Sequence, residues 1–322
     1  MAAPYLIGDI GGTNARFALA VDGAIQGFAA LRVAEHADIA SAVRSYLAGQ
    51  PSVAGMHGVS LAVAGPVAHN SSRMTNSDWL IAPESFAGLV PGPVRLLNDL
   101  EAVAWSLPAL RDDDTLALRP GEAEAGRPML VIAPGTGLGM SALIRGPHGR
   151  YAAIASEGGH ASFAPEDVQE DALLQHLRRQ HGHVSAERLL SGPGLEAIYA
   201  AMAALAGEGD GFKPAPEITA GALAGTCARS VASMHMFCAL LGSFTGNMAL
   251  AFGAHGGVYI GGGIVPRIAD FMRHSAFSAR FAAKGRSSAF LQDIPIRLIK
   301  RPDAAMLGLI AYTMQIPEGE PG

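Results

Sequence analysis

The stretch Val94-Arg95-Leu96-Leu97-Asn98-Asp99-Leu100-Glu101-Ala102-Val103-Ala104-Trp105 changes character at its middle. Val94 to Leu97 is mostly aliphatic and predicts a short buried strand. Leu100 to Leu107 predicts an amphipathic helix that Pro108 closes. Asn98 and Asp99 therefore fall at the C-terminal end of a strand, immediately before a helix. Ligands of open α/β sheets collect at that edge. Taken alone, Asp99 also reads as a helix N-cap, a position that favours Asp and Asn.

Toward the N-terminus, Gly58 to Ala64 predicts another buried strand, ended by Gly65-Pro66, and Ile39 to Leu47 predicts an amphipathic helix. Tyr5 to Ile10 is an apolar strand running into Gly8-Asp9-Ile10-Gly11-Gly12-Thr13-Asn14. Arg16 to Val21 predicts a second strand, so the glycines form a hairpin turn. The pattern returns downstream: strand Met129 to Pro134, turn Gly135-Thr136-Gly137-Leu138-Gly139, strand Met140 to Ile144. This similarity suggests an internal duplication, one hairpin opening each of two domains. A third turn, Gly261-Gly262-Gly263, follows strand Val258 to Ile260 and leads into a helix from Pro266. No Gly-Lys-Ser/Thr follows any of them, which excludes a P-loop. The first two sit in hairpins rather than strand-to-helix turns, which excludes a dinucleotide fingerprint. Each alone is a turn; together they read as backbone N–H and Thr hydroxyl donors arranged for phosphate oxygens.

Composition sets limits. The 322 residues exceed what one core usually fills, so two domains are expected. Hydrophobic residues make up 49% and charged residues 16%, the balance of a well-buried globular chain. A formal net charge of −5 argues against a nucleic-acid partner. The N-terminus lacks a basic region followed by an apolar run, so no secretory signal is expected. Cys227 and Cys238, the only two cysteines, would lie about 16 Å apart along one helix, too far to bridge, which suits a reducing cytoplasm. Ser230 to Phe252 carries no Lys, Arg, Asp or Glu and is long enough to span a bilayer. Its scattered Ser, His, Thr and Asn residues and the missing aromatic belt favour a buried core helix instead, with no membrane contact.

Other polar stretches have modest readings. Asn76-Ser77-Asp78-Trp79 reads as a capping turn with a packing Trp, and Asp112-Asp113-Asp114 as a solvated linker near the domain boundary. Glu157 to His160 follows a strand at Tyr151 to Ala155. Ser185 to Arg188 reads as a helix start whose Glu187 complements the helix dipole or faces a ligand. His181-Gly182-His183 lacks the companions of a zinc site. Beyond Glu187 the chain reads as mostly helical to Gly253, then strand Pro295 to Lys300, then a helix from Ala304 to Met314 with Asp303 as its N-cap.

The set Gly8 to Arg16, Asn98-Asp99, Ala133 to Gly139, Glu157-Gly158-Gly159-His160 and Glu187 to Gly194 resembles bacterial glucokinase, in order over nearly the whole chain. The resemblance implies an α/β, two-lobed, actin-like, hexokinase-type ATPase fold (ribonuclease H-like) with a central cleft. It implies a smaller lobe of residues 1–108 plus 303–322, a larger lobe of 109–302, and usually a homodimer. By that likeness Asp99 is the catalytic base, and Asn98, Asp99, Glu157, His160 and Glu187 hold the sugar. Gly8, Asp9, Gly11, Gly12, Thr13 and Asn14 would face the phosphates of ATP, Asp9 holding Mg²⁺ through water. Thr136 and Gly137 would clamp the phosphates, and Gly261 and Gly262 would flank the adenosine. The Cys-rich zinc loop of the related repressor/sugar-kinase family is missing here, as is a DNA-binding helix-turn-helix ahead of the first strand.

The chemistry agrees with the likeness. Carboxylates, an amide and an imidazole can grip several neutral hydroxyls at once. Phosphoryl transfer needs an aligned hydroxyl, a base, and N–H or cationic groups on the phosphate oxygens. The expectation is ATP-dependent phosphorylation of glucose to glucose 6-phosphate. The alternatives are a kinase for another hexose or an amino sugar, a sugar- and ATP-sensing regulator without turnover, and an actin- or chaperone-like ATPase. A pure binder has no use for Asp99, and a chaperone-like ATPase has none for the sugar set.

Overall fold

The computed structural model describes residues 4–50, 55–74, 77–209 and 211–315. Two compact units emerge: residues 1–110 with 146–155 and 301–322, and residues 111–145 with 156–300. Asn76 lies outside the described residues.

The first unit begins with β1 (Tyr5–Ile10), β2 (Asn14–Val21), β3 (Ala24–Arg32), α1 (Ile39–Ala48) and β4 (Gly58–Val63). It continues with the short strands β5 (Ser72–Arg73) and β6 (Leu80–Ile81), then β7 (Val94–Asn98) and α2 (Asp99–Ser106). Later come β8 (Thr115–Arg119), β9 (Met129–Pro134), β10 (Leu138–Arg145), β11 (Tyr151–Ser156), α3 (Val168–His181), α4 (Gly192–Leu205), α5 (Ala215–Leu223) and α6 (Ala228–Phe252). The chain closes with β12 (Val258–Ile260), α7 (Val265–Arg273), α8 (Phe277–Ala282), α9 (Ser288–Leu291), β13 (Ile296–Ile299) and α10 (Ala304–Gln315).

The first sheet runs β3-β2-β1-β4-β7. β2 and β3 are antiparallel additions, whereas β1, β4 and β7 are parallel. β4 is buried at every residue, as a central parallel strand with both faces covered must be. Ile39, Val43 and Tyr46 of α1 pack on Leu6, Ile10 and Phe17. α10 packs along α2 and also touches β1 and β4. At Gly308 the two helices come so close that a Cβ would collide with Ala102 O and stand 3.0 Å from Ser106 N. Trp105 and Tyr312 meet edge to face across the same seam, centroids 5.2 Å apart. The segment 146–155 belongs to this unit, where Tyr151 N donates to Gln315 Oε1 at 2.9 Å.

In the second unit β10, β9, β12, β13 and β8 lie side by side in that order. β9 and β10 form the second glycine hairpin, with Pro134 opposite Leu138, and β12 runs parallel to both β9 and β13. α6 is long and apolar enough to cross a membrane, yet 61% of its apolar window is buried among α4, α5 and α8. Gly242 and Gly246 admit the carbonyls of Phe277 and Phe281 at its surface. It is a core helix.

Two expectations need correction, and a third gains a defined shape. Ser185 to Arg188 is a hydrogen-bonded turn, not a helix start: Leu190 N bonds back to Ala186 O, and α4 begins only at Gly192. Ser191 is its cap, accepting from Gly194 N at 3.0 Å, and Pro193 suits the first turn of a helix. Asp112 to Asp114 lies next to the boundary between the units, as expected, with Asp112 and Asp113 exposed. It takes the form of a 3₁₀ turn in which Arg297 reaches Asp112 at 2.8 Å and Arg111 N donates to Asp114 at 3.0 Å. Cys227 precedes α6 instead of lying within it, and both cysteines are free.

Candidate active site

In the first unit three parallel strands end in step. Ile10 pairs with Val63 and Val63 with Asn98. The turn Gly11-Gly12-Thr13, the bend at Gly65 and Asp99 therefore lie along one sheet edge. At about 4.8 Å per strand, the glycine turn and Asp99 are roughly 10 Å apart.

The turn is closed by Gly11 N donating to Asn14 O at 2.9 Å. Asp9 sits one residue before the strand end, and Arg16, its cross-strand partner, donates to Asp9 Oδ2 at 2.7 Å. Gly8 serves packing: a Cβ there would stand 2.8 Å from Leu61 Cδ2 and 3.0 Å from Phe17 Cδ1.

Asn98, not Asp99, caps α2. Its Oδ1 accepts from Leu100 N at 3.0 Å, and Glu101 Oε2 accepts from Asn98 N at 3.3 Å, the reciprocal pair of a capping box. Asn98 Nδ2 donates to Gly65 O at 2.9 Å. Asp99 is the first helical residue, with Oδ1 2.8 Å from Leu100 N, in a helix N-terminus that favours negative charge. Burial raises the Glu101 carboxyl above its ordinary range, against the opposing hydrogen bond from Asn98 N.

In the second unit Glu157, His160 and Glu187 converge. His160 Nε2 lies 3.7 Å from Glu157 Oε2, and His160 Nδ1 lies 3.7 Å from Glu187 Oε1. The scaffold is a short backbone pairing: Glu187 N donates to Gly159 O and Ala186 N to Ala161 O, both at 2.9 Å. Gly159 is required there, since Leu138 O fills the place of a Cβ. The Glu157 and His160 side chains are 76% and 60% exposed, open to a ligand; Glu187 is only 31% exposed. Glu187 also reaches the second glycine turn, where its Oε2 accepts from Leu138 N at 2.9 Å. Gly137 makes this possible, because a Cβ there would stand 2.5 Å from the same oxygen.

The turn at Gly135 also borders a cavity of about 430 Å³. Its walls include Thr136, Leu195, Glu196, Thr219, Ile264 and Arg267. The volume, the apolar walls and the few polar groups are those of a small-molecule site.

The family model described as Glucokinase matches residues 6–316. The chain belongs to the glucokinase family. It is 43% identical to a glucokinase of Chromobacterium violaceum over 97% of this chain and 89% of that protein. It is similar in structure to a glucokinase from an Antarctic psychrotroph, with TM-score 0.90, 34% identity, and coverage of 98% of this chain and 100% of that one. A glucokinase from Streptomyces griseus, solved with glucose and AMPPNP, shares the fold at TM-score 0.63 and 18% identity over 98% of this chain and 100% of that one. The reaction is accordingly ATP-dependent phosphorylation of glucose, giving glucose 6-phosphate and ADP, on an actin-like, hexokinase-type fold.

The stretches that carry the glucokinase resemblance fall on strand ends and turns. Gly261 and Gly262 do not line the cavity; Gly263 does. Gly261 N is tied to Ile132 O at 2.8 Å, and Gly262 has φ +80° with Pro134 O in the place of a Cβ, so the backbone there demands glycine at Gly262. Glu196, Thr219 and Arg267 escaped the sequence reading because helix-borne polar residues carry no spacing signal. Gly192-Pro193-Gly194 was the available clue. Leu189 Cα would be 2.8 Å from a Gly194 Cβ, and Gly192 N donates to Gly135 O at 2.8 Å, which docks the start of α4 on the turn.

Proposed function

We propose that Asp99 takes the proton of the glucose 6-hydroxyl as that oxygen attacks the γ-phosphorus of ATP. The observation that carries this is the capping of α2 by Asn98, which relieves Asp99 of the structural duty its sequence position suggested. A hexose hydroxyl is a poor nucleophile at neutral pH, and a carboxylate beside it can accept the proton and align the oxygen. Asn98, Glu157, His160 and Glu187 would hold the remaining hydroxyls. Asn98 keeps a second N–H and a second lone pair beyond its fold contacts. Support for sugar and nucleotide together also comes from the Streptomyces griseus glucokinase, solved with glucose and AMPPNP.

The turn that follows Gly8 and Asp9 would face the phosphates, with Gly12 and Thr13 turning backbone N–H groups toward them while Gly11 N closes the turn on Asn14 O, and Thr136 and Gly137 adding more. The adenosine would enter the cavity beside Gly263. Among the described residues no group of three His, Cys, Asp or Glu side chains converges on a metal. Mg²⁺ needs none, because it keeps several waters and takes one or two carboxylates plus phosphate oxygens. Asp9, a single carboxylate beside the phosphate turn, fits that demand; bound there, Mg²⁺ would offset phosphate charge. A glycolytic role, a cytoplasmic location and a homodimer rest on the family likeness, the free cysteines adding support for the location. A net charge of −5 supports the absence of a nucleic-acid partner.

Asp99→Asn tests the assignment. With Asn98 as the cap, this change should leave the melting temperature nearly unaltered, while loss of the base lowers kcat by about 10²–10⁴. Sugar affinity should fall far less, since the amide oxygen still accepts a hydroxyl proton. A folded Asp99→Asn protein with wild-type kcat would remove Asp99 from the mechanism.

A further inference from the structure

β7, which delivers Asn98 and Asp99, is the last strand of its sheet. Its inner side serves β4, as Val59 N donates to Pro93 O at 2.9 Å. Alternation then turns the backbone groups of Val94, Leu96 and Asn98 outward, where no strand pairs with them. A further parallel strand would give, from one residue, an N–H to Val94 O and a carbonyl to Leu96 N. The carboxamide of Asn70 does both: Nδ2 donates to Val94 O at 2.7 Å, and Oδ1 accepts from Leu96 N at 2.9 Å. One side chain stands in for one residue of a sixth strand.

The local chain is built for this. Ala68 and Ser71 exchange hydrogen bonds of 2.9 and 3.0 Å across a two-residue turn. His69 and Asn70 occupy its centre at φ +50° and +54°, a type I′ turn, which tolerates Asn unusually well. The segment from Gly65 to Asn70 is thereby fastened to β7 twice, by Asn70 at the strand's start and by Gly65 O to Asn98 Nδ2 at its end. We infer that Asn70 is a positioning residue: by completing the open edge of β7 it fixes the register of the strand end that presents Asp99. This inference rests on the reading of Asp99 as the base.

The test compares Asn70→Gly, Asn70→Asp and Asp99→Asn by steady-state kinetics and thermal melting. Gly keeps the left-handed turn and removes both bonds; Asp keeps the acceptor and loses the donor. Misplacement on the ångström scale costs up to about 10²-fold in rate, so kcat of Asn70→Gly should fall about ten- to hundredfold, and that of Asn70→Asp less. KM for ATP should stay within about twofold, because the cavity beside Gly263 belongs to the other unit and a misplaced base taxes the transition state selectively. Wild-type kcat in a folded Asn70→Gly protein, or a uniform loss explained by unfolding, overturns the inference. So does failure of both Asn70 variants to fold, which would make Asn70 a folding residue. If Asp99→Asn itself turns over normally, the fault lies with the base assignment rather than with Asn70.

Discussion

The two oxygens of Glu187 face different tasks. Oε2 accepts from Leu138 N in the glycine turn beside the cavity, while Oε1 looks toward His160. Glu157, by contrast, is 76% exposed, with His160 as its ion-pair partner among the described residues. The two carboxylates should therefore fail differently. Glu157→Gln should weaken glucose binding by about one to two decades, the loss of a charge-assisted hydrogen bond, and leave ATP untouched. Glu187→Ala should raise KM for ATP as well as weaken glucose, because Leu138 N loses its acceptor and the turn its anchor. Calorimetry with glucose, and with a non-hydrolysable ATP analogue, reads both; an unchanged nucleotide affinity in Glu187→Ala would refute the anchoring role. This division was not legible in the sequence. The types of the residues were legible, since two carboxylates and an imidazole in Glu157, His160 and Glu187 are side chains suited to hydroxyls, and the structure brings these three together. A hydrogen bond from Glu187 to a backbone 49 positions away depends on non-local folding that no spacing encodes.

At the scale of elements, α2 owes its position to α10 as much as to β7. The seam at Gly308 tolerates no side chain, with Ala102 O in the way. Gly308→Ala should push the helices apart, cost about 1–3 kcal/mol as overpacking does, and lower kcat because α2 starts at Asp99. Differential scanning calorimetry beside a coupled glucose assay measures both; a stable, fully active variant would show that α2 needs no close contact with α10. Elements with a clear period were readable: β1, β4, β7 and the two glycine hairpins have nearly the limits their apolar runs suggest. β3 was not, because it lies at a sheet edge with neither face buried and so carries no alternation to find. The start of α4 was misplaced because Ser185 imitates a cap, while the residue that caps is Ser191, whose oxygen reaches Gly194 N.

At the scale of the molecule, the first unit is assembled from three separate pieces of chain, and the second is interrupted only by residues 146–155. α10 lies more than 190 residues after α2 in the sequence and covers its flank through Gly308 and Tyr312. A chain ending at residue 300 should keep the second unit and lose the order of the first, seen as proteolytic cleavage confined to residues 1–110 and 146–155 and no turnover. Protection of the first unit in that truncated chain would disprove this. The same arrangement sets a timetable during synthesis. A ribosome adding about 5–20 residues per second completes β1, β4, β7 and α2 early, yet α10 follows only after the whole of the second unit, some tens of seconds later. Until then the apolar flank of α2 and the glycine notch have no cover. The newborn chain must wait for α10 before the start of α2, which carries the proposed base Asp99, is held in place.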